Sequence, residues 1–225
     1  MEINMLANET LPILFQNDEL LVVNKPAGIA VHPGPRTPHS VEALLPALAE
    51  AIGQRRLPTL MHRLDRDTSG CLILARKYSA MRRIAKLFET RGILKTYWAI
   101  MDELPATDEG MVDAPLAKVS SAEAGWRMVV DPAGKSAFTE WKVLDRAARL
   151  IEFRPRTGRT HQLRVHANCL GSAITGDPVY GPTKNPAISM RLHARQLDIP
   201  MLDGSVLQVI APLPEGWPAP AENII

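Results

Sequence analysis

Short apolar runs, each cut off by Pro, Gly, Asn or Asp, recur along this chain, and only three stretches have helical spacing. Residues 11–15 and 19–24 read as strands around the turn Gln16-Asn17-Asp18, and Lys25-Pro26-Ala27-Gly28 ends the second. Residues 29–32, 71–75, 95–101, 137–144 and 150–154 read as further strands, the last two as an antiparallel pair. A hairpin is expected around 126–130, within a stretch (102–135) rich in Pro, Gly, Ser and Ala, and two strands between 191 and 212 around Leu202-Asp203-Gly204. The first helix spans 40–51, with Ser40 as N-cap and Pro46 as a distortion. The second spans 79–90, with Met81, Ile84, Leu87 and Phe88 inward, Arg82, Arg83 and Lys86 outward, and Gly92 at its end. The third is capped by Thr160 and stopped by Gly171. Strands without a regular βαβ alternation make the fold class α+β.

A chain of 225 residues, 46% of them hydrophobic, can bury a sizeable core. Its net charge of +2 neither demands nor excludes a nucleic-acid partner. The cations are clustered, however. Ten lie between 54 and 91 against three acids, and five arginines between 149 and 166 face only Glu152. Such clustering can build a basic face on a nearly neutral protein. Cys71 and Cys169 are too few for a disulfide framework or a cysteine zinc site, and each is expected to be a buried free thiol. Residues 1–10 lack the features of a signal peptide, and no apolar run is long enough to span a membrane, so a cytoplasmic protein is expected.

Two segments are chemically unusual. His62-Arg63-Leu64-Asp65-Arg66-Asp67-Thr68-Ser69-Gly70 sets alternating charges between apolar stretches, and reads as an ordered loop that fixes a charged group toward a cleft. On the residues alone, Asp65 and Asp67 are equally readable as turn caps. The second segment, 154–166, leads a Gly-containing turn into a helix N-terminus crowded with donors, a place that favours anions. Arg164 lies inside it between Leu163 and Val165, where an arginine needs a carboxylate partner. His32, His161 and His166 have no standard metal-ligand spacing, and no metal is expected.

The 62–70 segment resembles the signature of the RluA-type RNA pseudouridine synthases. Four further blocks stand in matching order: Asn24-Lys25-Pro26-Ala27-Gly28 with Val31-His32-Pro33-Gly34, then Lys95-Thr96-Tyr97-Trp98-Ala99, then 158–166, then Gly176-Asp177-Pro178-Val179-Tyr180-Gly181. Leu192-His193-Ala194 also fits. The resemblance implies a long, bent, mixed but mostly antiparallel sheet with flanking helices and loops and a central cleft. It implies one catalytic domain over 11–215, with tails at 1–10 and 216–225, in the short form without an S4 domain. It implies isomerisation of uridine to pseudouridine at a specific site in a tRNA or rRNA stem-loop, by a monomer with no cofactor.

The roles that follow from the resemblance are residue-specific. Asp65 is the essential carboxylate, either as a nucleophile at C1′ or as the base that yields a glycal. Arg164 keeps it ionised and aimed, which requires an approach within about 4 Å. Tyr97 packs on the uracil ring and lines the same cleft; its hydroxyl is a candidate base for the C5 proton. Leu163 or Val165 supplies an apolar wall. Arg63 fills the gap left by the flipped uridine, His62 orders the loop, and Arg159 belongs to the RNA-binding set. Segments 35–58 and 102–135 are the expected substrate determinants. Two other readings are a non-catalytic RNA-binding protein on the same scaffold and a glycosidic-bond hydrolase, in which Asp65 and Asp67 act as a carboxylate pair. The first has no need of Asp65, Tyr97 and Arg164 together, and for the second no other block supplies a matching acid.

Overall fold

The computed structural model describes residues 11–34, 39–121, 125–182 and 188–218. The expected tail at 1–10, residues 219–225 of the expected tail at 216–225, and parts of the two determinant segments (35–38 and 122–124) lie outside these residues. One ten-stranded sheet organises the rest. Its main path runs β1 (Ile13–Gln16), β2 (Leu20–Lys25), β4 (Ser69–Ala75), β11 (Leu192–Pro200), β5 (Leu94–Ile100), β10 (Leu150–Pro155), β9 (Phe138–Asp145) and β6 (Glu109–Asp113). β3 (Thr59–Leu60) pairs with β4, and β12 (Val206–Ile210) pairs with β11. Strands β7 (Leu116–Ser121) and β8 (Gly125–Val130) form a separate hairpin.

Every pairing between these strands is antiparallel except β4 with β11, the seam at the middle of the sheet. There His193 faces Ser69 and Ala194 faces Gly70. Gly70 has φ +108, and a Cβ on it would collide with the Ala194 backbone. Only glycine fits this seam, which begins directly after the charged loop. β4 is buried along its whole length, so both faces of the sheet are covered here. On one face Leu20, Val22 and Ile73 pack with α2 (Tyr78–Glu89) through Ala80 and Ile84. On the other Leu21, Val23, Leu72 and Leu74 meet α1 (Val41–Ala51) through Val41, Leu45 and Leu48. Beyond the seam, Ile151 and Phe153 pack with α3 (Gln162–Cys169) through Leu163 and Ala167.

The local signals mostly hold. Ser40 caps α1 through Ala43 N, and Pro46 sits inside that helix. Several expectations are corrected. Residues 29–32 form only a single bridge, Ala30 with Ser40. Arg83 turns inward, bonding Pro200 O and Glu19, and so ties α2 to the sheet. Arg91, not Gly92, takes the left-handed turn after α2, with φ 59. The N-cap of α3 is His161 with φ 54, not Thr160. Cys71 is buried as expected, but Cys169 is exposed at the end of α3. Strand β6 was not expected; with Val112 its one buried residue, it shows no alternation. Among the described residues, no helix is long and apolar enough to cross a membrane.

Candidate active site

The 61–68 loop hangs between β3 and β4, and three devices fix it. Lys25 is fully buried, and its Nζ donates to the carbonyls of Pro26, Ile29 and Arg66 at 2.8–2.9 Å. Burial pushes the Lys25 ammonium down to about 8. At neutral pH it still ties the loop, through Arg66 O, to the 26–29 turn, whose Gly28 N also donates to Arg66 O at 2.9 Å. His62 Nε2 accepts from Ile73 N at 3.0 Å, and burial, then Lys95, pushes its pKa down to about 4. A ring nitrogen that accepts must be unprotonated, so geometry and charge state agree. Leu64 is buried as a third anchor. Asp65, between Leu64 and Arg66, is thereby held toward the cleft.

Arg164 reaches Asp65 from α3, with Nη1 3.3 Å from Oδ2. The stronger partner of Arg164 is a different acid. Its Nε and Nη2 grip both oxygens of Asp177 at 2.7 and 2.8 Å. Asp177 is fully buried and also accepts from the amides of Val179 and Tyr180. These contacts hold its carboxyl below the usual range despite burial, which acts the other way. Arg164 is thus aimed by Asp177 and spends one donor on Asp65. Asp177 lies in a block singled out in the sequence, but nothing local marks it as the arginine's partner. Gly176 before it has φ +76, and a Cβ there would meet Ser189 O at 2.5 Å.

Asp65 lines a small pocket of about 110 Å³ together with Tyr97, Leu163, Arg164, His161 and Leu192. Among the described residues its Oδ1 has no recorded partner, whereas Arg164 and His161 both approach Oδ2. The pocket opens into a cleft of about 690 Å³, and Arg63, Lys95, Tyr97 and Arg159 line both. Six cations (Arg63, Arg91, Lys95, Arg154, Arg156, Arg159) border this cleft against Glu89 and Asp198. Arg63 is exposed at its rim. Arg159 bonds Ser136 O, and Gln162 accepts from its amide, pinning the turn before α3.

Not all the sequence candidates meet. Leu163 walls the pocket, but Val165 points away and packs with Leu116, Met128 and Ala137 under the β7–β8 hairpin. Asp67 pairs with exposed Arg66 at 3.0 Å, apart from Asp65's contacts. His166 bonds Thr139 and Ala114 O, a structural use. Burial, then the charge of Asp65, raises the Tyr97 hydroxyl above the ordinary tyrosine range. Two residues that touch this centre were missed. His161 Nε2 lies 4.0 Å from Asp65 Oδ2, and the Tyr180 ring lies 5.1 Å from the Arg164 guanidinium.

A family model described as RNA pseudouridylate synthase matches residues 19–168. An uncharacterized RNA pseudouridine synthase of Zymomonas mobilis is 45% identical over 209 residues, 91% of this chain and 94% of that protein. Ribosomal large subunit pseudouridine synthase D of the same organism is 43% identical, over 77% of this chain and 57% of its own length. The solved structure of human RNA pseudouridylate synthase domain containing 4 superposes with a TM-score of 0.76 at 31% identity, covering 91% of this chain and 89% of the other. The chain belongs to the RNA pseudouridine synthases of RluA type, enzymes that isomerise uridine in RNA.

Proposed function

We propose that Asp65 is the essential carboxylate with which this enzyme converts a uridine in a tRNA or rRNA stem-loop to pseudouridine. The observation that carries this reading is the Arg164–Asp65 contact of 3.3 Å in a pocket that Tyr97 and Leu163 also line. With Oδ2 held by Arg164 at 3.3 Å, Oδ1 is, among the described residues, the oxygen free to face the ribose. In the reaction N1–C1′ breaks, C5–C1′ forms, the C5 proton leaves and N1 gains one, so atoms and charge balance without a cofactor. Asp65 acts either as nucleophile at C1′ or as base at the ribose; both use the same free oxygen.

Tyr97 packs against the detached uracil, and Leu163 forms the wall opposite. A hydroxyl whose pKa is raised keeps its proton at neutral pH, which disfavours Tyr97 as the C5 base. The small pocket suits one extruded base, and the cationic cleft suits the phosphates on either side. Arg63, which lines both pocket and cleft, occupies the vacated stack in this reading. A loop substrate fits this plan, because its bases splay out at little cost. The name of the ribosomal relative supports an rRNA target. The reading includes a monomer in the cytoplasm.

The hydrolase alternative loses its second acid in the structure. Asp67 is turned to Arg66, and Asp177 is locked in a bidentate pair. The test is Asp65→Asn, assayed by tritium release from RNA carrying 5-tritiated uridine. Release should fall below detection while RNA affinity stays near wild type; wild-type turnover would overturn the assignment. Mapping pseudouridines in total RNA with and without the protein names the target position.

A further inference from the structure

His161 has no part in the chemistry above, yet three groups fix its ring. Its backbone is left-handed (φ 54), uncommon outside glycine, and its side chain makes no capping bond to α3. Such strain persists where the surroundings over-determine it. Trp126 of β8 stacks on the imidazole with centroids 4.9 Å apart and planes at 25°. The Tyr180 hydroxyl lies 2.9 Å from Nδ1. Nε2 lies 4.0 Å from Asp65 Oδ2, the oxygen that Arg164 also approaches.

The hydrogen-bond chain points to one tautomer. Met128 N–H donates to the Tyr180 hydroxyl at 2.9 Å, so that oxygen accepts from the hairpin and its own proton goes to Nδ1. A neutral ring then carries its hydrogen on Nε2, facing Asp65. Both the stacking ring and the amide belong to β8. The hairpin is also held by a small apolar cluster, Leu116 and Met128 against Ala137, Val165 and Tyr180, and by paired backbone bonds between Leu116 and Lys135. Trp126 is itself 45% exposed, so RNA that bears on the hairpin bears on the ring that fixes His161.

We propose that the β7–β8 hairpin is a working part of the active site, in which Trp126 and Tyr180 hold His161 as a positioning residue that presents Nε2–H to Asp65 Oδ2. This rests on Asp65 being the essential carboxylate. His161 and Arg164 together turn Oδ1 to the ribose, and the hairpin couples RNA seating to that alignment.

The test separates chemistry from binding by measuring single-turnover rates at saturating RNA alongside Kd. His161→Ala should lower the saturating rate roughly 10- to 100-fold, the range of one hydrogen bond to a charged group, once bound RNA has closed the 4.0 Å approach to bonding distance, with Kd little changed. His161→Gln, whose amide nitrogen can stand where Nε2 stands, should recover most of the lost rate. Trp126→Ala should lose rate in the same direction, and Trp126→Phe should regain it. If His161→Ala fails to fold, the Trp126 pair decides. An unchanged saturating rate with only a weaker Kd, or glutamine no better than alanine, overturns the proposal. An active Asp65→Asn would instead remove the assignment beneath it, whereas an inactive Asp65→Asn beside a fully active His161→Ala sinks the positioning role alone.

Discussion

The pocket around Asp65 and the wide cleft beside it follow opposite rules. In the pocket, Arg164 is buried between Asp177 and Asp65, and Asp177 is enclosed by backbone amides. In the cleft, Arg154 and Arg156 stand exposed on Glu152 and Glu140, with side chains 60% and 44% accessible. A buried pair fixes one geometry, because losing a partner strands a charge. An exposed pair such as Arg156–Glu140 contributes little to stability and is readily exchanged for a phosphate, whereas exposed Arg154 stands over a Glu152 that is itself buried. In the proposed reading, the first region aims a single oxygen and the second holds the RNA backbone through its phosphates.

That contrast can be broken most directly at Asp177. Asp177→Asn should destabilise the fold by about 3–5 kcal/mol, the range for opening a buried ion pair, and should also lower the saturating rate by freeing Arg164. Denaturant unfolding and single-turnover assays measure the two effects; a variant as stable and active as wild type would mean that something else aims Arg164. Next is pH. His62 and His193 are both pushed down to about 4, chiefly by burial. Between 6.5 and 4 the unfolded chain binds the protons that the folded one refuses, so stability is full above 6.5 and falls on acidification. The loss is at most roughly 3 kcal/mol for each ring by the shift in pKa. A flat unfolding free energy from pH 7 to 4 would contradict the buried, neutral placement of both rings.

The cleft predicts smaller and different effects. Replacing Arg154 and Arg156 with alanine should raise Kd several-fold, and should flatten the slope of log affinity against log salt by roughly 0.7–0.9 per lost phosphate contact. A slope equal to that of wild type would show that neither arginine meets phosphate. Smallest of all is Tyr97→Phe. A ring that packs and keeps its proton should lose less than about tenfold in rate without its hydroxyl, below the roughly 100-fold that marks the weak end of general-base contributions. A loss of a thousandfold would restore the hydroxyl as the C5 base.

Local features of the chain carried far. The strand pairs β9–β10 and β11–β12, the buried strand β4, helix α2 and the Ser40 cap all follow from spacing and turn residues within a few positions. The blocks around Asp65, Tyr97 and Arg164 were legible too, since each is contiguous in sequence. Less legible were β6, which buries one residue, and the direction of Arg83, decided by Glu19 and Pro200 far along the chain. Leu163 and Val165 looked equivalent as a wall. Residues two apart on a helix point to different sides, and only the hairpin's position settled that Val165 lies beneath it.

What the sequence alone determined, then, is the α+β class, most element positions and the family, because periodicity and motifs are local. What only the tertiary structure decided is pairing at long range. The approach of Asp65 and Arg164, 99 positions apart, was expected from the family resemblance alone and not from local spacing, and β4 meets β11 across a gap of 124 at a seam that admits only glycine. The same holds for the hairpin's grip on His161 and for Asp177 as the arginine's main partner. No spacing rule encodes such contacts, since they exist only once the sheet has closed and burial has made every unpaired charge costly.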